Sequence, residues 1–440
     1  GGLPVGGTPP DLTAAFEAAM ARLGPFEPEP RLAAGVSGGA DSMALAVLAD
    51  GWVRRRGGSL LAVIVDHGLR AGSAAEAAVT RERLSGLGIA AQIRRLDGLT
   101  RGSALAERAR MARLEMLASV CRDAGILHLL LGHHAGDQAE TVMMRVLRGS
   151  GPHGLAGMAA LREAGQVRLL RPLLEMSPGA LRAFLSAAGV DWVEDPSNKD
   201  LAALRRRLRA LRADLAGEAD GTVALCAAAR SAGLRRAADD LAVGEVLAER
   251  AAFRADGVVL LSPGPVRQDA LAAIIQAVTG APYPVESAAV AVLAAHPRPA
   301  TLAGARLMRA ARMTDGWLVA REAAAMAGPV PAEPGAVWDR RFCLVTAGGT
   351  GAGPPSPGEP GLAPQKMDGL TIGALGPDAA RLRRLSALPA AALRTLPALR
   401  RGNTLAAVPH LLYPDAAACA AVRLVFAPPR PAAGAPFQPG

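Results

Sequence analysis

Between Arg31 and Leu147, short apolar runs alternate with stretches whose apolar residues recur at helical spacing. Leu32 to Val36, Leu60 to Val65, Ala90 to Leu96 and Ile126 to Leu131 have the length and character of buried strands. Between the third and fourth, Ser103 to Asp123 places Leu105, Ala109, Ala112, Met116 and Val120 on one stripe, with Arg113 at its edge. Asp11 to Leu23 repeats Leu12, Ala15, Phe16, Ala19 and Met20 in the same way, and the prolines from Pro25 to Pro30 end that helix. Ser177, Pro178 and Gly189 supply an N-cap, a first-turn proline and a C-terminal glycine for one more helix. Strand and helix in turn predict βαβ units on a parallel sheet, an α/β fold.

The pattern changes beyond this region. Arg205, Arg206, Arg207, Arg209 and Arg212 open a long Ala/Leu/Arg stretch without strand punctuation, which predicts a mostly helical second domain. Residues 346–361 are almost entirely Gly, Pro, Ser, Thr and Ala and read as a linker. The expected organisation is an N-terminal extension and helix (1–29), an α/β domain (30–204), a mostly helical domain (205–330), a small α+β C-terminal module (331–426) carrying that linker, and a disordered tail (427–440).

Composition narrows the function. The net charge is +10, and Lys199 and Lys366 are the only lysines among the basic residues, so the excess is arginine. Arginine-rich charge suits a polyanionic partner. Aromatic residues make up only 3%, which argues against a single-strand binder that stacks bases on rings. Cys121, Cys226, Cys343 and Cys419 form no C-x-x-C pair, so neither a zinc site nor a disulfide framework is expected. No run approaches the ~18 apolar residues of a membrane span, and the reading is cytoplasmic with no membrane partner.

The candidate chemistry sits where the predicted strands end. Ser37-Gly38-Gly39-Ala40-Asp41-Ser42 joins the first strand to a helix, a place where free amides and the helix dipole meet an anion. The two serines add hydroxyl donors, while Asp41 faces phosphate oxygens usefully only through a cation such as Mg²⁺. The second strand ends in Asp66-His67, and the fourth in Gly132-His133-His134-Ala135-Gly136-Asp137-Gln138. Asp137 and Glu140 have a second reading, as the N-cap and capping-box partner of the helix running to Arg148.

Taken together, these residues resemble a known family. The S-G-G-A-D-S loop is similar to the pyrophosphate-binding loop (PP-loop) of the N-type ATP pyrophosphatases. The ordered set resembles the bacterial tRNA(Ile)-lysidine synthases: V-D-H-G-L-R at Val65 to Arg70, A-R-x-x-R at Ala109 to Arg113, L-G-H-H-A-x-D-Q-A-E-T at Leu131 to Thr141, R-G-S-G at Arg148 to Gly151, G-L-A-G-M at Gly154 to Met158, R-P-L-L at Arg171 to Leu174 and E-D-P-S-N at Glu194 to Asn198. The likeness is weaker at T-L-A-G-A-R (Thr301 to Arg306) and W-D-R-R-F (Trp338 to Phe342).

The resemblance implies a Rossmann-like PP-loop ATPase domain. It also implies an ATP- and Mg²⁺-dependent ligase that adenylates the C2 oxygen of the wobble cytidine in the CAU anticodon of an isoleucine tRNA, after which free L-lysine displaces AMP. On that reading Ser37, Gly38, Gly39, Ala40, Asp41, Ser42, Asp66 and His67 bind ATP, with Asp41 on the metal. Asp137 and Glu140 grip the lysine ammonium groups, and His133 accepts a proton or touches phosphate. Arg110 and Arg113 hold the lysine carboxylate or the AMP phosphate. Arg148, Gly149, Arg205, Arg206, Arg207 and Arg209 face tRNA, and the loop from Arg148 to Met158 is a lid near the anticodon. A homodimer stays open. One departure stands out: Gly136 occupies a position where the family usually carries aspartate. The alternatives are another PP-loop tRNA-modifying enzyme, an amide-forming ligase, or a catalytically weakened nucleotide- or tRNA-binding homologue.

Overall fold

The computed structural model describes residues 11–66, 68, 72–96, 105–193, 208, 214, 216–285, 287–310, 312–346, 367–416, 419 and 422–440. These fall into two compact units, 1–238 with 436–440, and 239–435. His67, Arg205, Arg206, Arg207 and Arg209, most of the 346–361 linker and the acidic loop at 194–198 lie outside the described residues.

The first unit follows the apolar pattern closely. Helix α1 (Leu12–Leu23), strand β1 (Arg31–Val36), α2 (Ala40–Arg54), β2 (Ser59–Asp66), α3 (Ser73–Gly86), β3 (Ala90–Arg95), α4 (Leu105–Ala124), β4 (His128–Leu131) and α5 (Ala135–Leu147) alternate as expected. A short turn α6 (Pro152–Leu155), a hairpin of β5 (Leu161–Ala164) and β6 (Val167–Leu170), and α7 (Pro178–Ala187) follow. The sheet order is β3-β2-β1-β4-β6-β5, parallel except for the β5–β6 pair. Helix α7 starts as predicted: the Ser177 hydroxyl accepts the Ala180 N–H at 3.0 Å, and Pro178 is its first residue.

Period-two alternation explains the layering. Leu32, Ala34, Val36, Leu130 and Leu170 face one core with Met43, Leu45, Leu48 and Trp52 of α2 and Leu181 and Leu185 of α7. Ala33, Val63, Leu129, Leu131 and Leu169 face the other, against Leu117, Val120 and Cys121 of α4. Each large aliphatic side chain buried this way contributes ~2 kcal/mol, and both faces are covered. The chain crosses from β1 to β2 on one side and reaches β4 on the other. The carboxyl ends of β1 and β4 therefore form the topological switch point, where a ligand crevice opens.

Two expectations about the rest of the chain change. The segment 205–330 has more helix than strand, as expected, but it also holds a sheet that the sequence pattern does not announce. Helices Asp220–Arg250, Gln268–Thr279 and Ala288–Ala295 accompany a five-stranded antiparallel sheet of Ala251–Phe253, Val259–Leu261, Trp317–Arg321, Ala305–Arg309 and Ala300–Leu302. These strands are three to five residues long, too short to register as a pattern in an Ala/Arg-rich sequence. The family-like T-L-A-G-A-R stretch is their tightest hairpin, pairing Leu302 with Ala305.

The tail at 427–440 is not a disordered end. Phe437 is buried, and Ala160 donates its N–H to the Gln438 carbonyl at 2.8 Å. W-D-R-R-F also serves the fold: Trp338 and Phe342 are fully buried, and Asp339 holds Arg321 at 3.1 Å and Arg341 at 2.8 Å. No helix among the described residues is long and apolar enough to cross a membrane.

Candidate active site

Strand β1 delivers its glycine loop directly into α2. Gly38 has φ +90°, and a Cβ there would lie 2.3 Å from the buried Thr80 hydroxyl, so only glycine fits. Gly39 caps α2 with no side-chain hydrogen bond to its amides, which leaves that helix end to an anion. Ser42 braces the loop from inside: its hydroxyl accepts the Ser37 N–H at 3.1 Å, donates to the Gly39 carbonyl at 2.9 Å and sits 3.2 Å from the Ser37 hydroxyl. Val193 donates its N–H to the Gly38 carbonyl at 2.8 Å, tying the chain beyond α7 to the same turn.

Strand β4 brings the second cluster against the first. A Cβ at Gly132 would come within 3.3 Å of the Asp41 carbonyl, a measure of how closely the two strand ends approach. Helix α5 begins one turn earlier than the reading of Asp137 as its cap implied. His134 is the N-cap, its Nδ1 accepts the Asp137 N–H at 3.4 Å, and the Asp137 carboxylate accepts the His134 N–H at 3.2 Å. Asp137 is therefore the third helical residue and the capping-box partner, and Glu140 is released from that task. Because His134 Nδ1 is the acceptor, Nε2 carries the proton, and it lies 3.5 Å from both Asp41 and Asp137. One imidazole thus bridges the carboxylates of two strand ends.

A third group assembles beside them. His133 is half-buried with its Nδ1 shielded from solvent, and desolvation together with Arg171, Arg110 and Arg113 holds its pKa well below the usual imidazole value, with Asp137 opposing. The ring is neutral at physiological pH. Burial, aided by Arg162 and Arg110, pushes Arg171 down to about 10, and burial with Arg110 beside it lowers Arg113 as well. Several cationic side chains converging on a neutral imidazole form an anion receptor.

Among the described residues, Asp41 Oδ1, His133 Nδ1 and Arg171 Nε are buried with no hydrogen-bond partner. Buried polar atoms ordinarily find partners, so this set marks a place built for a ligand. No group of three or more His, Cys, Asp or Glu among the described residues forms a self-sufficient metal cage. The Asp41 carboxylate, with one oxygen unpartnered, still fits Mg²⁺, which commonly takes one or two protein carboxylates and completes its shell with phosphates and water.

The structure thus gathers Ser37, Gly38, Gly39, Ala40, Asp41, Ser42, His133 and Asp137 at one crevice, with Glu140 buried one turn along α5 and Arg110 and Arg113 coupled electrostatically to His133. Asp66 closes β2 one strand away, where its carboxylate accepts the Gly68 N–H at 3.0 Å. Arg148 and Gly149 are exposed at the opposite end of α5, about 16 Å along the axis from Asp137. The loop expected to act as a lid is pinned to α5. Gln138 exchanges two hydrogen bonds with the Met158 backbone at 3.0 and 2.7 Å, and Arg145 donates to the Gly154 and Gly157 carbonyls at 2.6 and 2.7 Å. Arg171, His134 and Gln138 stood within the quoted motifs but had no individual role assigned. The signal for Arg171 was its place immediately after a strand.

A family model described as a PP-loop domain matches residues 12–214. A tRNA(Ile)-lysidine synthase of Ruegeria pomeroyi is 36% identical over 332 residues, covering 72% of this chain and 77% of that protein. The chain belongs to the tRNA(Ile)-lysidine synthase family. A family member from Salinispora tropica is 42% identical over 256 residues, 58% of this chain and 74% of its own length. One from Bradyrhizobium sp. is 45% identical over 196 residues, and the matched part spans 55% of its length. The higher identities thus fall in shorter matches that cover about half of the relative.

Proposed function

We propose that the protein ligates lysine to C2 of the wobble cytidine in the CAU anticodon of an isoleucine tRNA, consuming ATP and releasing AMP and pyrophosphate. The observation that carries this is the convergence of the braced glycine loop, the half-unpartnered Asp41 and the His133–Arg171 anion receptor at one switch point, in a chain of this family. The loop amides and the α2 N-terminus hold the pyrophosphate moiety, where charge grows as the α–β bond breaks. Asp41 would hold Mg²⁺, which when bound would supply positive charge to the same phosphates. His134 fixes the spacing of Asp41 and Asp137, so metal and nucleophile are positioned by one ring.

The lysine ammonium groups lie against Asp137 and Glu140. Arg110, Arg113 and Arg171 take the α-phosphate or the lysine carboxylate. His133, neutral before substrate arrives, gains proton affinity when an anion binds beside it, which turns a poor base into a competent one. The exposed Arg148 contacts the tRNA backbone, and so do Arg205, Arg206, Arg207 and Arg209, which lie outside the described residues. A cytoplasmic location follows from that substrate.

The test is incubation with ATP, Mg²⁺, labelled lysine and an isoleucine tRNA transcript bearing CAU, against a methionine tRNA control. Label confined to the isoleucine transcript is the expected result. AMP release without label would replace lysine by another nucleophile, and neither product would remove the ligase reading.

A further inference from the structure

Residues 436–440 belong to the first compact unit. Phe437 is buried with Ala156 and Ala232, bordered by Leu155 and Ala159. The Arg236 guanidinium lies 4.6 Å from the centre of its ring and also donates to the His153 carbonyl at 3.3 Å. The Gln438 carbonyl accepts the Ala160 N–H at 2.8 Å. Ala160 in turn accepts the Arg171 N–H at 2.8 Å, and Arg171 Nη1 donates to the Ala159 carbonyl at 2.7 Å. The two residues that hold Arg171 are themselves held by this segment.

The long helix Asp220–Arg250 is shaped to admit it. Gly233 follows an alanine-rich stretch, and a Cβ there would come within 2.8 Å of Pro439 Cβ and 3.0 Å of the Phe437 ring. Glycine weakens a helix relative to alanine, so its presence is matched to the segment that crosses it.

We propose that residues 436–440 are a positioning strap: Phe437 anchors it, Gln438 fixes Ala159–Ala160, and through them the strap sets the Arg171 guanidinium beside His133. The strap's effect on turnover rests on the proposed ligase reading. Its effect on the backbone and on anion binding does not.

The experiment uses the full chain with Phe437→Ala, Phe437→Leu and Gly233→Ala. Hydrogen exchange at the Ala160 and Arg171 amides should accelerate roughly tenfold in Phe437→Ala, move the same way in Gly233→Ala and return toward wild type in Phe437→Leu. The β1 amides serve as the control for global unfolding and should not change. In the labelling assay the KM of an anionic substrate should rise several-fold with kcat little altered, the split expected when a ground-state anchor loosens. Unchanged exchange in both Phe437→Ala and Gly233→Ala overturns the strap. Faster exchange with KM and kcat both at wild-type values overturns its positioning role. Should the wild type show no ligase activity, the ligase reading fails, and titration of AMP, which carries the single phosphate assigned to Arg171, decides: weaker binding in the two loosening variants supports the strap, and equal binding overturns it. If Phe437→Ala does not fold, Gly233→Ala and Phe437→Leu carry the test.

Discussion

Strands β4 and β6 together place a histidine–arginine pair at each of their two ends, and the two ends were put to different uses. At the amino end His128 pairs in register with Arg168; at the carboxyl end His133 lies beside Arg171. His128 is buried and His133 half-buried, and both have lowered pKa values, first through desolvation. The amino end is closed: His128 Nε2 meets Glu27 at 3.0 Å, and Arg168 donates to the Leu23, Gly24 and Pro25 carbonyls at 2.9, 3.2 and 3.0 Å, sealing the end of α1. The carboxyl end leaves His133 Nδ1 and Arg171 Nε buried without hydrogen-bond partners among the described residues. The same residue types at the two ends of these strands are structural where their atoms are partnered and functional where atoms are left for a ligand. Residue identity does not separate these two pairs; what differs between them is how many of their polar atoms have partners.

The sharpest way to break that distinction is Asp41→Asn. Asp41 Oδ1 is the third unpartnered atom of the open end, so the change should cost AMP release a factor of ~10³ or more, the scale of losing an electrostatic anchor at the reacting phosphates. Thermal stability should hold. A variant within tenfold of wild type in ATP-dependent AMP release would remove the metal-holding role.

Next in size is a matched pair, Arg171→Met and Arg168→Met. The first should lower kcat/KM ~100-fold while stability moves by no more than about 1 kcal/mol, because Arg171 makes little use of its donors. The second should cost about 2 kcal/mol, since three helix-end carbonyls lose their partner, and should leave turnover per folded molecule unchanged. Denaturant midpoints and steady-state kinetics on the same samples read both. Equal kinetic losses in the two variants would erase the distinction.

That pair also marks what the sequence made legible. Strands β1 to β4 are short apolar runs at regular intervals, so the sheet and the positions of Asp41, His133 and Asp137 beyond its strand ends follow from pattern alone. The β5–β6 hairpin does not. Its four-residue strands carry Arg162, Glu163 and Arg168, and pairing with β4 rather than local preference makes them strands. Arg171 went without a role for the same reason, because its burial is inherited from that pairing. The start of α5 was misplaced because histidine is an uncommon N-cap, and Asp137 with Glu140 offered a more familiar one. The docking of 436–440 depends on a gap at Gly233, more than two hundred residues away, and no periodicity announces it.

The two histidines separate again on acidification. Each has a folded pKa below its ordinary 6.5, so below pH 6.5 the unfolded chain binds more protons than the folded one. Stability must therefore fall as pH falls through that window, by up to about 1.4 kcal/mol per pH unit for each histidine. His128→Gln and His133→Gln should each flatten part of the slope measured by chemical denaturation from pH 7 to pH 5. Saturating ATP should remove the His133 share, because a bound anion restores that ring's affinity for a proton, and leave the His128 share intact. A slope unaffected by ATP would mean that no anion binds beside His133.

The smallest expected effect concerns Gly136, the second residue of α5, buried one position before Asp137. Aspartate in a first helical turn is favoured by the dipole by about 0.5 kcal/mol and avoids glycine's cost in a helix. At this position it would also add a carboxylate next to Asp137 in the same helical turn, raising the site's demand for a divalent cation. Gly136→Asp should therefore increase turnover only a few-fold at saturating Mg²⁺ and lower the Mg²⁺ concentration for half-maximal rate by a similar factor. With Mg²⁺ removed by chelation the variant should fall below wild type, since extra negative charge then faces the phosphates unscreened. Rates identical to wild type across the whole Mg²⁺ titration would mean that Asp41 and Asp137 already satisfy the cation and that the missing carboxylate is incidental.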